Sequence, residues 1–367
     1  MSQPKPSRQI VTPQSLAQAV IEWQLTQGRH HLPWQQTRDP YRVWLSEVML
    51  QQTQVSTVLG YYERFLSRFP DVQALARAPL DEVLALWSGL GYYSRARNLH
   101  ACARAVVALH DGEFPRDSLT LATLPGIGRS TAAAIAAFCF GERAAILDGN
   151  VKRVLTRVLG FGDDLAQSRH EKALWALAEE LLPHRQVDRY TQGLMDLGAQ
   201  VCTARQPRCH TCPLQSVCVA HGQDRVHDFP VKSRRLKRGR RVSSLWWWQY
   251  RDQVWLVQRP GSGVWAGLWC LPEVPAQDPV IDVPGALQTW QDHCEFEQLS
   301  PVEHALTHFD WLLLPARYTV TSRLGSQQRQ KLECALVDTF GAGRWVQVDD
   351  ALALGLPAPV RKLLERI

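Results

Sequence analysis

The apolar residues of the chain recur with two different periods, and the change between them divides the sequence in two. Over Ser15–Cys218 they recur at intervals of three and four residues, which predicts helices separated by Gly or Pro turns. Within Trp44–Leu59 the apolar residues fall on one helical face, while Glu47, Gln51 and Gln54 share a second, polar stripe. We therefore expect the first part of the chain to be helical.

From residue 243 onward, short runs rich in Trp and Val replace the helical pattern and predict β-strands. Two runs joined by three polar residues predict a strand pair, two later runs predict further strands, and the last stretch predicts a closing helix. In chain order these are Ser244–Tyr250, Val254–Gln258, His308–Val320, Trp345–Val348 and Pro359–Ile367. The second part is expected to be an α+β domain, and the protein as a whole to be mainly α.

A short basic segment separates the two parts. Residues 231–241, VKSRRLKRGRR, contain seven Lys or Arg and no acidic residue, so removing them from the net charge of +6 leaves the rest of the chain at −1. The segment is either a solvated linker or one that lies beside DNA, where basic groups release counterions from phosphates. We predict a helical domain over residues 1–230, a basic linker over 231–241 and the α+β domain over 242–367.

Length and composition agree with a globular protein of two domains. The chain has 367 residues, of which 45% are hydrophobic and 21% charged, and no apolar run reaches the length of a membrane span. The start, MSQPKPSRQI, is not a secretory signal. We therefore expect a cytoplasmic protein, in which regular spacing among the nine cysteines indicates a metal site rather than disulfides.

Four cysteines have such a spacing, Cys-x6-Cys-x2-Cys-x5-Cys. They are Cys202, Cys209, Cys212 and Cys218. Four thiolates suit tetrahedral zinc, but this spacing resembles the iron–sulfur loop of the endonuclease III superfamily of DNA repair enzymes. The resemblance implies that residues 202–218 hold a [4Fe–4S] cluster.

A glycine-rich turn forms the second motif. In Leu124–Thr131, LPGIGRST, the sequence Pro-Gly-x-Gly predicts a tight turn whose backbone N–H groups face outward at a helix start, an arrangement that binds anions. The motif resembles the hairpin of helix–hairpin–helix proteins, which implies that Gly126 and Gly128 bind a DNA phosphate. An ordinary turn between two helices would also explain these glycines.

A pair of carboxylates forms the third motif. Taken alone, Glu47 would be a solvent-facing helix residue and Asp148 an N-cap for the helix that starts near Val151. Their segments, together with GLGYY (89–93) and MDLG (195–198), resemble adenine DNA glycosylases of the MutY type almost residue for residue. The resemblance runs from about Leu32 to Cys218 and continues more weakly through the second domain.

The resemblance implies opposite roles for the two carboxylates. Glu47 would be the general acid that protonates N7 of a flipped-out adenine, and enclosure would raise its pKa enough to keep that proton near neutral pH. Asp148 would stay ionised and stabilise the oxocarbenium-like sugar, by charge or by transient covalent attachment.

Further roles follow from the same resemblance. Gln51 and Tyr92 match positions that wedge into the duplex, and Leu32 and Trp34 match the wall of the adenine pocket, although Trp34 is equally well explained as a core residue. Ser130 stands where lyase members of the superfamily carry a lysine. Because serine cannot form a Schiff base, base removal without strand cleavage is expected.

The second domain contains an incomplete motif. Gly267–Glu273 reads as G-x5-E, the opening of the Nudix box, but the clustered carboxylates that should follow and bind magnesium are replaced by IDVPG (281–285). The domain resembles a Nudix-like fold that recognises 8-oxoguanine. Leu306-Thr307-His308 matches the Phe-Ser-His loop of that fold, which implies that Thr307 and His308 contact the oxidised base.

Together these resemblances imply a two-part helix–hairpin–helix glycosylase domain with an iron–sulfur loop, followed by a Nudix-like domain. The implied activity is monofunctional excision of adenine from 8-oxoguanine:A or G:A pairs in double-stranded DNA during base excision repair. We expect a monomer that associates with the nucleoid and not with a membrane. Two alternatives stay open: another glycosylase or lyase of the superfamily, and a catalytically silent lesion-binding protein.

Overall fold

The computed structural model describes residues 12–233, 238–276 and 285–366. These residues form two units that are each discontinuous in sequence. The first unit contains the described residues up to 52, residues 71–73 and residues 101–233; the second contains residues 53–70, residues 74–100 and the described residues from 238 onward. The division at residues 230 and 241 stays a prediction, and residues 234–237 of the basic linker lie outside the described residues.

The chain up to residue 233 is helical, as its pattern predicts. Short 3₁₀ turns occur at Pro33–Gln35, Cys209–Thr211, Gln215–Val217 and Val226–Asp228, and a π-helical turn at Ala136–Phe140. The α-helices are α1 (Pro13–Gln27), α2 (Pro40–Leu50), α3 (Val55–Arg68), α4 (Val72–Arg77), α5 (Leu80–Trp87), α6 (Ser94–Leu109), α7 (Ser118–Leu121), α8 (Arg129–Ile135), α9 (Gly149–Leu159), α10 (Ser168–Glu180), α11 (Val187–Gln200) and α12 (Val219–Gly222).

Several helix starts are set by local side chains that the sequence shows directly. Thr12 and Asp39 accept hydrogen bonds from backbone N–H groups at the starts of α1 and α2, and each is followed by proline in the first turn. Asp148 caps α9, as predicted, and Gly160 with φ +64° ends it.

The continuous helical pattern predicted over residues 44–59 is wrong. Helix α2 ends at Leu50 and α3 begins at Val55, and between them Gln52 adopts a left-handed φ of +58°. The polar run Gln51–Gln54 has no apolar side chain to bury, so nothing favours continuing one helix through it. As a result, Gln51 lies beyond the end of α2 and does not share a helical stripe with Glu47.

The core of the first unit lies where α1, α9 and α11 pack together, and it consists mainly of buried Val, Leu and Ala. Two glycines of α11 allow the close approach. A Cβ atom on Gly193 would lie 2.7 Å from Cγ1 of Val20 on α1, and one on Gly198 would lie 2.6 Å from Cβ of Asn150 on α9. The start of α9, which carries Asp148, is therefore held against α11 at close range.

The residues from 238 onward form a mixed sheet flanked by helices. The strands are β1 (Gly239–Tyr250), β2 (Gln253–Gln258), β3 (Trp269–Cys270), β4 (Glu273–Pro275), β5 (Cys294–Gln298), β6 (Val302–Ala305), β7 (Phe309–Val320) and β8 (Gly343–Gln347). The helices are α13 (Gly285–Gln288), α14 (Ser326–Phe340), α15 (Val348–Leu352) and α16 (Ala358–Leu364), with a 3₁₀ turn at Gln291–His293.

The sheet order is β3-β2-β1-β7-β5, with β4 on β1, β6 on β7 and β8 on β2. Strands β1 and β7 run parallel along their whole length, and the other pairs are antiparallel. Trp246 and Trp248 of β1 face the same side as Leu332 and Leu336 of α14, so the sheet buries one face under that helix. The predicted strands and the closing helix are all present, with ends shifted by a few residues.

No helix among residues 12–233, 238–276 and 285–366 is long and apolar enough to cross a membrane.

Gly198 lies at the contact between α9 and α11, and Gly60 lies inside α3. We expect alanine to have opposite effects on stability at these two positions. Gly198→Ala should lower the free energy of unfolding by about 1–3 kcal/mol, because its methyl group overlaps the backbone and side chain of Asn150. Gly60→Ala, inside α3 with no neighbour within 4 Å, should raise it by up to about 1 kcal/mol. Urea denaturation of both variants measures the difference, and equal stability would contradict the close packing.

Candidate active site

Glu47 lies in the middle of α2 among buried residues. Its neighbours Ser46, Val48 and Met49 are buried, while Glu47 itself is half-buried. Burial, and to a smaller extent the negative charge of Asp148, raises the pKa of Glu47 from 4.5 to about 8. Glu47 is therefore not the solvent-facing helix residue that its spacing alone allows.

Asp148, the second carboxylate, is the N-cap of α9. Its Oδ1 accepts a hydrogen bond of 2.7 Å from the backbone N–H of Val151. Burial raises the pKa of Asp148, but backbone N–H groups of Val151 and Asn150 and the charges of Arg153 and Lys152 oppose the shift. The helix N-terminus thus favours the ionised form of Asp148.

Different groups act on the pKa values of the two carboxylates. Both side chains are half-buried, and the charge of Asp148 raises the pKa of Glu47. Ionising both groups at the same time is therefore unfavourable. The opposing hydrogen bonds and cations act on Asp148 and not on Glu47. The arrangement therefore raises the pKa of Glu47 to about 8, whereas hydrogen bonds and cations oppose the rise in the pKa of Asp148.

The helix that follows the glycine-rich turn is hydrogen-bonded to the segment that carries Asp148. Gly126 has a φ of +76°, which favours glycine, and Gly128 is the N-cap of α8 without a side-chain hydrogen bond to the cap. The Ser130 hydroxyl in the first turn of α8 accepts a hydrogen bond of 3.1 Å from the backbone N–H of Leu147. This bond ties the turn to the residue that precedes Asp148.

The four cysteines of residues 202–218 line one small cavity of about 20 Å³. Burial raises the pKa of Cys212 to about 12, and the charges of Cys202, Cys218 and Cys209 each add to it. Within the described ranges, no group of three or more His, Cys, Asp or Glu is arranged to hold a single metal ion. The fold therefore brings the four cysteines of the predicted loop to one cavity.

Two arginines of α9, which the sequence analysis did not select, join this cysteine loop to the carboxylate site. Arg157 is buried and donates to Sγ of Cys202 at 3.4 Å and to the carbonyl of Thr203 at 2.7 Å. Arg153 donates to the Cys202 carbonyl at 2.7 Å and to Oδ1 of Asn150 at 2.8 Å. Their spacing of four residues, one face of α9, was the signal available in the sequence.

The residues matched to the adenine pocket wall are buried. Leu32 is 2% exposed and Trp34 is 7% exposed. Both a core residue and a pocket wall are buried in this way, so the two interpretations of Trp34 stay predictions. Gln51, matched to a wedge, is exposed just after the end of α2.

The second unit brings together two predicted residues that are far apart in sequence. The hydroxyl oxygens of Tyr92 and Thr307 lie 3.0 Å apart and share a hydrogen bond. Tyr92 has a left-handed φ of +48° and is 45% exposed, and His308 next to Thr307 is also exposed. No local pattern in the sequence indicates this contact, because 215 positions separate the two residues.

Comparison with known proteins accounts for each of these regions. A family model described as HhH-GPD superfamily base excision DNA repair protein matches residues 45–180. The model of the iron–sulfur binding domain of endonuclease III matches residues 202–218, and the NUDIX domain model matches residues 244–366.

Relatives of similar length extend the match to nearly the whole chain. The adenine DNA glycosylase of Buchnera aphidicola subsp. Baizongia pistaciae is 33% identical over 358 residues, which cover 95% of this chain and 96% of the relative. The chain belongs to the adenine DNA glycosylase family. The adenine DNA glycosylase of Rattus norvegicus is 40% identical over 307 residues, covering 70% of this chain and 59% of the relative.

A solved structure, that of a thermostable thymine-DNA glycosylase, is also similar to this adenine DNA glycosylase family member. The two are 30% identical with a TM-score of 0.51, over 57% of this chain and 97% of that chain. The predicted fold class, a helical helix–hairpin–helix part followed by a Nudix-like part, is confirmed. So is the prediction that residues 202–218 bind an iron–sulfur cluster.

The pKa of Glu47 predicts how stability changes with pH. Because the folded state holds the proton of Glu47 up to about pH 8, against 4.5 when exposed, this stabilising contribution is complete below 4.5 and is lost as pH rises through about 8. Glu47→Gln should therefore melt progressively higher than the unsubstituted protein as pH increases through this window. Thermal melts across it test the trend, with the exposed Glu180→Gln as control; a constant difference for Glu47→Gln would contradict the raised pKa.

Proposed function

We propose that this chain is a monofunctional DNA glycosylase that excises adenine paired with 8-oxoguanine or guanine. The observation that carries the proposal is the pair of half-buried carboxylates: the pKa of Glu47 is raised to about 8, and a helix start opposes the rise in the pKa of Asp148. Glycosidic bond cleavage needs these two functions, an acid for the leaving group and an anion for the cation left behind. The family assignment supports adenine as the leaving base.

In the first step, Glu47 gives its proton to N7 of an adenine that has been flipped out of the duplex. The bond between the base and the sugar then breaks, and its electron pair leaves with the neutral adenine. A carboxyl with a pKa of about 8 is largely protonated at neutral pH and remains acidic enough to transfer the proton as charge builds on the base.

In the second step, Asp148 stabilises the oxocarbenium-like sugar, by charge or by transient covalent attachment, until water adds at the same carbon. Its N-cap hydrogen bond from Val151 fixes the carboxylate relative to α9. Once Glu47 has given up its proton, it is the second anion beside the sugar and can accept a proton from the incoming water.

The proposal assigns base removal without strand cleavage to this site. Strand cleavage by a lyase needs an uncharged amine that attacks the sugar. The hydroxyl of Ser130 is engaged with the N–H of Leu147, and the amine of Lys152 forms an ion pair with Glu171. Neither side chain offers a free amine to the sugar.

The remaining predicted residues would hold the DNA. Gly126 and Gly128 would bind a phosphate, Gln51 and Tyr92 would occupy the gap left by the flipped base, and Leu32 with Trp34 would border the adenine. Thr307 and His308 would contact 8-oxoguanine. We expect the protein to act as a monomer in the cytoplasm, at the nucleoid.

We also propose that the iron–sulfur cluster is of the [4Fe–4S] type, held by Cys202, Cys209, Cys212 and Cys218. When bound, such a cluster supplies four sulfur-to-iron bonds that close the loop after α11. Arg153 and Arg157 would transmit that order to α9 and hence to Asp148.

Metal analysis tests the cluster assignment. The purified protein should be brown and contain iron and inorganic sulfide at about four each per chain, as a [4Fe–4S] cluster requires. Cys212→Ser should lose both, whereas Cys334→Ser, an exposed cysteine outside the loop, should retain them. One zinc ion per chain in place of iron would contradict the assignment.

Single-turnover cleavage tests the function. Duplexes containing 8-oxoguanine:A, G:A or G:T are incubated with protein and then treated with alkali, which breaks abasic sites. Adenine should be released from the first two duplexes, and Glu47→Gln should slow release by ~10²–10⁴ while Glu180→Gln leaves it unchanged. The rate should fall as pH rises through about 8, where Glu47 loses its proton.

The same assay identifies the alternatives. Release of thymine from G:T in place of adenine would assign the chain to another specificity of the superfamily. Binding without release of any base would indicate a silent lesion-binding protein, and a borohydride-trapped adduct would contradict the monofunctional assignment.

A further inference from the structure

Glu273, the glutamate of the Nudix-like G-x5-E segment, is buried and fully engaged by other side chains. Its side chain is 3% exposed. Oε1 accepts hydrogen bonds from Arg241 at 2.8 Å and from the Ser243 hydroxyl at 2.7 Å, and Oε2 forms an ion pair with Arg259. Two guanidinium groups occupy the oxygens that a divalent cation would need, so this carboxylate has a structural role in this protein.

Two of the three partners of Glu273, Ser243 and Arg241, contact one tryptophan, Trp311 of β7. The Ser243 hydroxyl, which donates to Glu273, accepts a hydrogen bond of 3.0 Å from Nε1 of Trp311. The Arg241 guanidinium lies 4.4 Å from the centre of the Trp311 ring. Trp311 is 1% exposed, so its position is set by these contacts and not by solvent.

A second tryptophan, Trp265, forms an aromatic cluster with Trp311. Trp265 stacks on Trp311 with 4.4 Å between ring centroids and 17° between planes, and its φ of +58° is unusual for a bulky side chain. The His304 ring on β6 lies 5.5 Å from Trp265, and His304 pairs with Trp311 across the strands. The cluster therefore contacts both strands of the β6–β7 hairpin.

This hairpin carries Thr307 and His308 at its turn. The turn is closed by a hydrogen bond of 3.0 Å from the Leu306 N–H to the Phe309 carbonyl. The His308 carbonyl accepts another, also of 3.0 Å, from the N–H of Gly239 at the start of β1, two residues before Arg241. The turn is thus supported by β1 and by Trp311, and both are attached to Glu273.

From this geometry we infer that Glu273 and Arg241 are positioning residues for reading the base opposite adenine. The buried carboxylate holds Arg241 and Ser243 against Trp311, and Trp311 holds the hairpin so that Thr307 and His308 keep one orientation. The inference rests on the proposed function, because it assigns the preference for 8-oxoguanine over guanine to this hairpin.

Arg241→Met is the primary test, since it removes the cation from Trp311 while Arg259 still neutralises Glu273. Arg317→Met is a matched control: Arg317 lies on β7, the strand paired with β1, forms an ion pair with Glu297 and lies 5.4 Å from the centre of a tryptophan ring, Trp247. Single-turnover rates of adenine release from 8-oxoguanine:A and G:A are measured below the melting temperature of each variant.

For Arg241→Met we expect the ratio of the two rates to fall by about tenfold to about 100-fold, as expected when recognition groups are misplaced by up to 1 Å. The G:A rate should stay close to that of the unsubstituted protein, because Glu47 and Asp148 are untouched. Arg241→Lys should restore part of the ratio, and Arg317→Met should leave it unchanged. Amide exchange at residues 306–309 should quicken in Arg241→Met but not in Arg317→Met.

Glu273→Gln should lower the ratio at least as far as Arg241→Met; if it does not fold, Arg241→Met still decides. An unchanged ratio and unchanged exchange in Arg241→Met would overturn the inference. A uniform loss of affinity for all duplexes, with a smaller dependence on salt, would also overturn it, because Arg241 would then be a phosphate contact. Absence of adenine release by the unsubstituted protein would instead refute the proposed function.

Discussion

The repulsion between two half-buried carboxylates, Glu47 and Asp148, is the constraint on which the proposed chemistry depends. In water both groups would be ionised at neutral pH and would have no reason to differ. Burial makes two neighbouring charges costly and raises both pKa values, and the N–H groups at the start of α9 oppose the rise at Asp148. Under the proposed function, this difference lets Glu47 act as the acid beside Asp148 as the anion.

This arrangement makes α9 the element whose position matters most in the first unit. Its first turn holds Asp148, its close contact with Gly198 sets its distance from α11, and Arg153 and Arg157 attach it to the cysteine loop. Under the proposed function, an iron–sulfur cluster in this loop would support the helix that carries Asp148 through these two arginines.

Glu273 shows the opposite outcome of burying a carboxylate. Glu47 is half-buried, and burial together with the charge of Asp148 raises its pKa to about 8. Glu273 is buried between Arg241 and Arg259, and its charge organises the aromatic cluster around Trp311. Under the two proposals, the same residue type would serve chemistry in one unit and architecture in the other, according to what surrounds it.

Local patterns in the sequence determined much of this protein. The spacing of the four cysteines, the capping role of Asp148 and the strand-forming run of Trp residues in β1 depend only on near neighbours, so they could be predicted. Contacts between distant residues decided the rest. The pKa of Glu47 depends on burial by several helices, and the turn at Gln52 separates two helices whose apolar faces look continuous. The bond between Tyr92 and Thr307 and the pairing of Glu273 with Arg241 and Arg259 join segments that meet only in the folded chain. Desolvation and charge pairing are properties of that three-dimensional neighbourhood, and no spacing along the sequence specifies it.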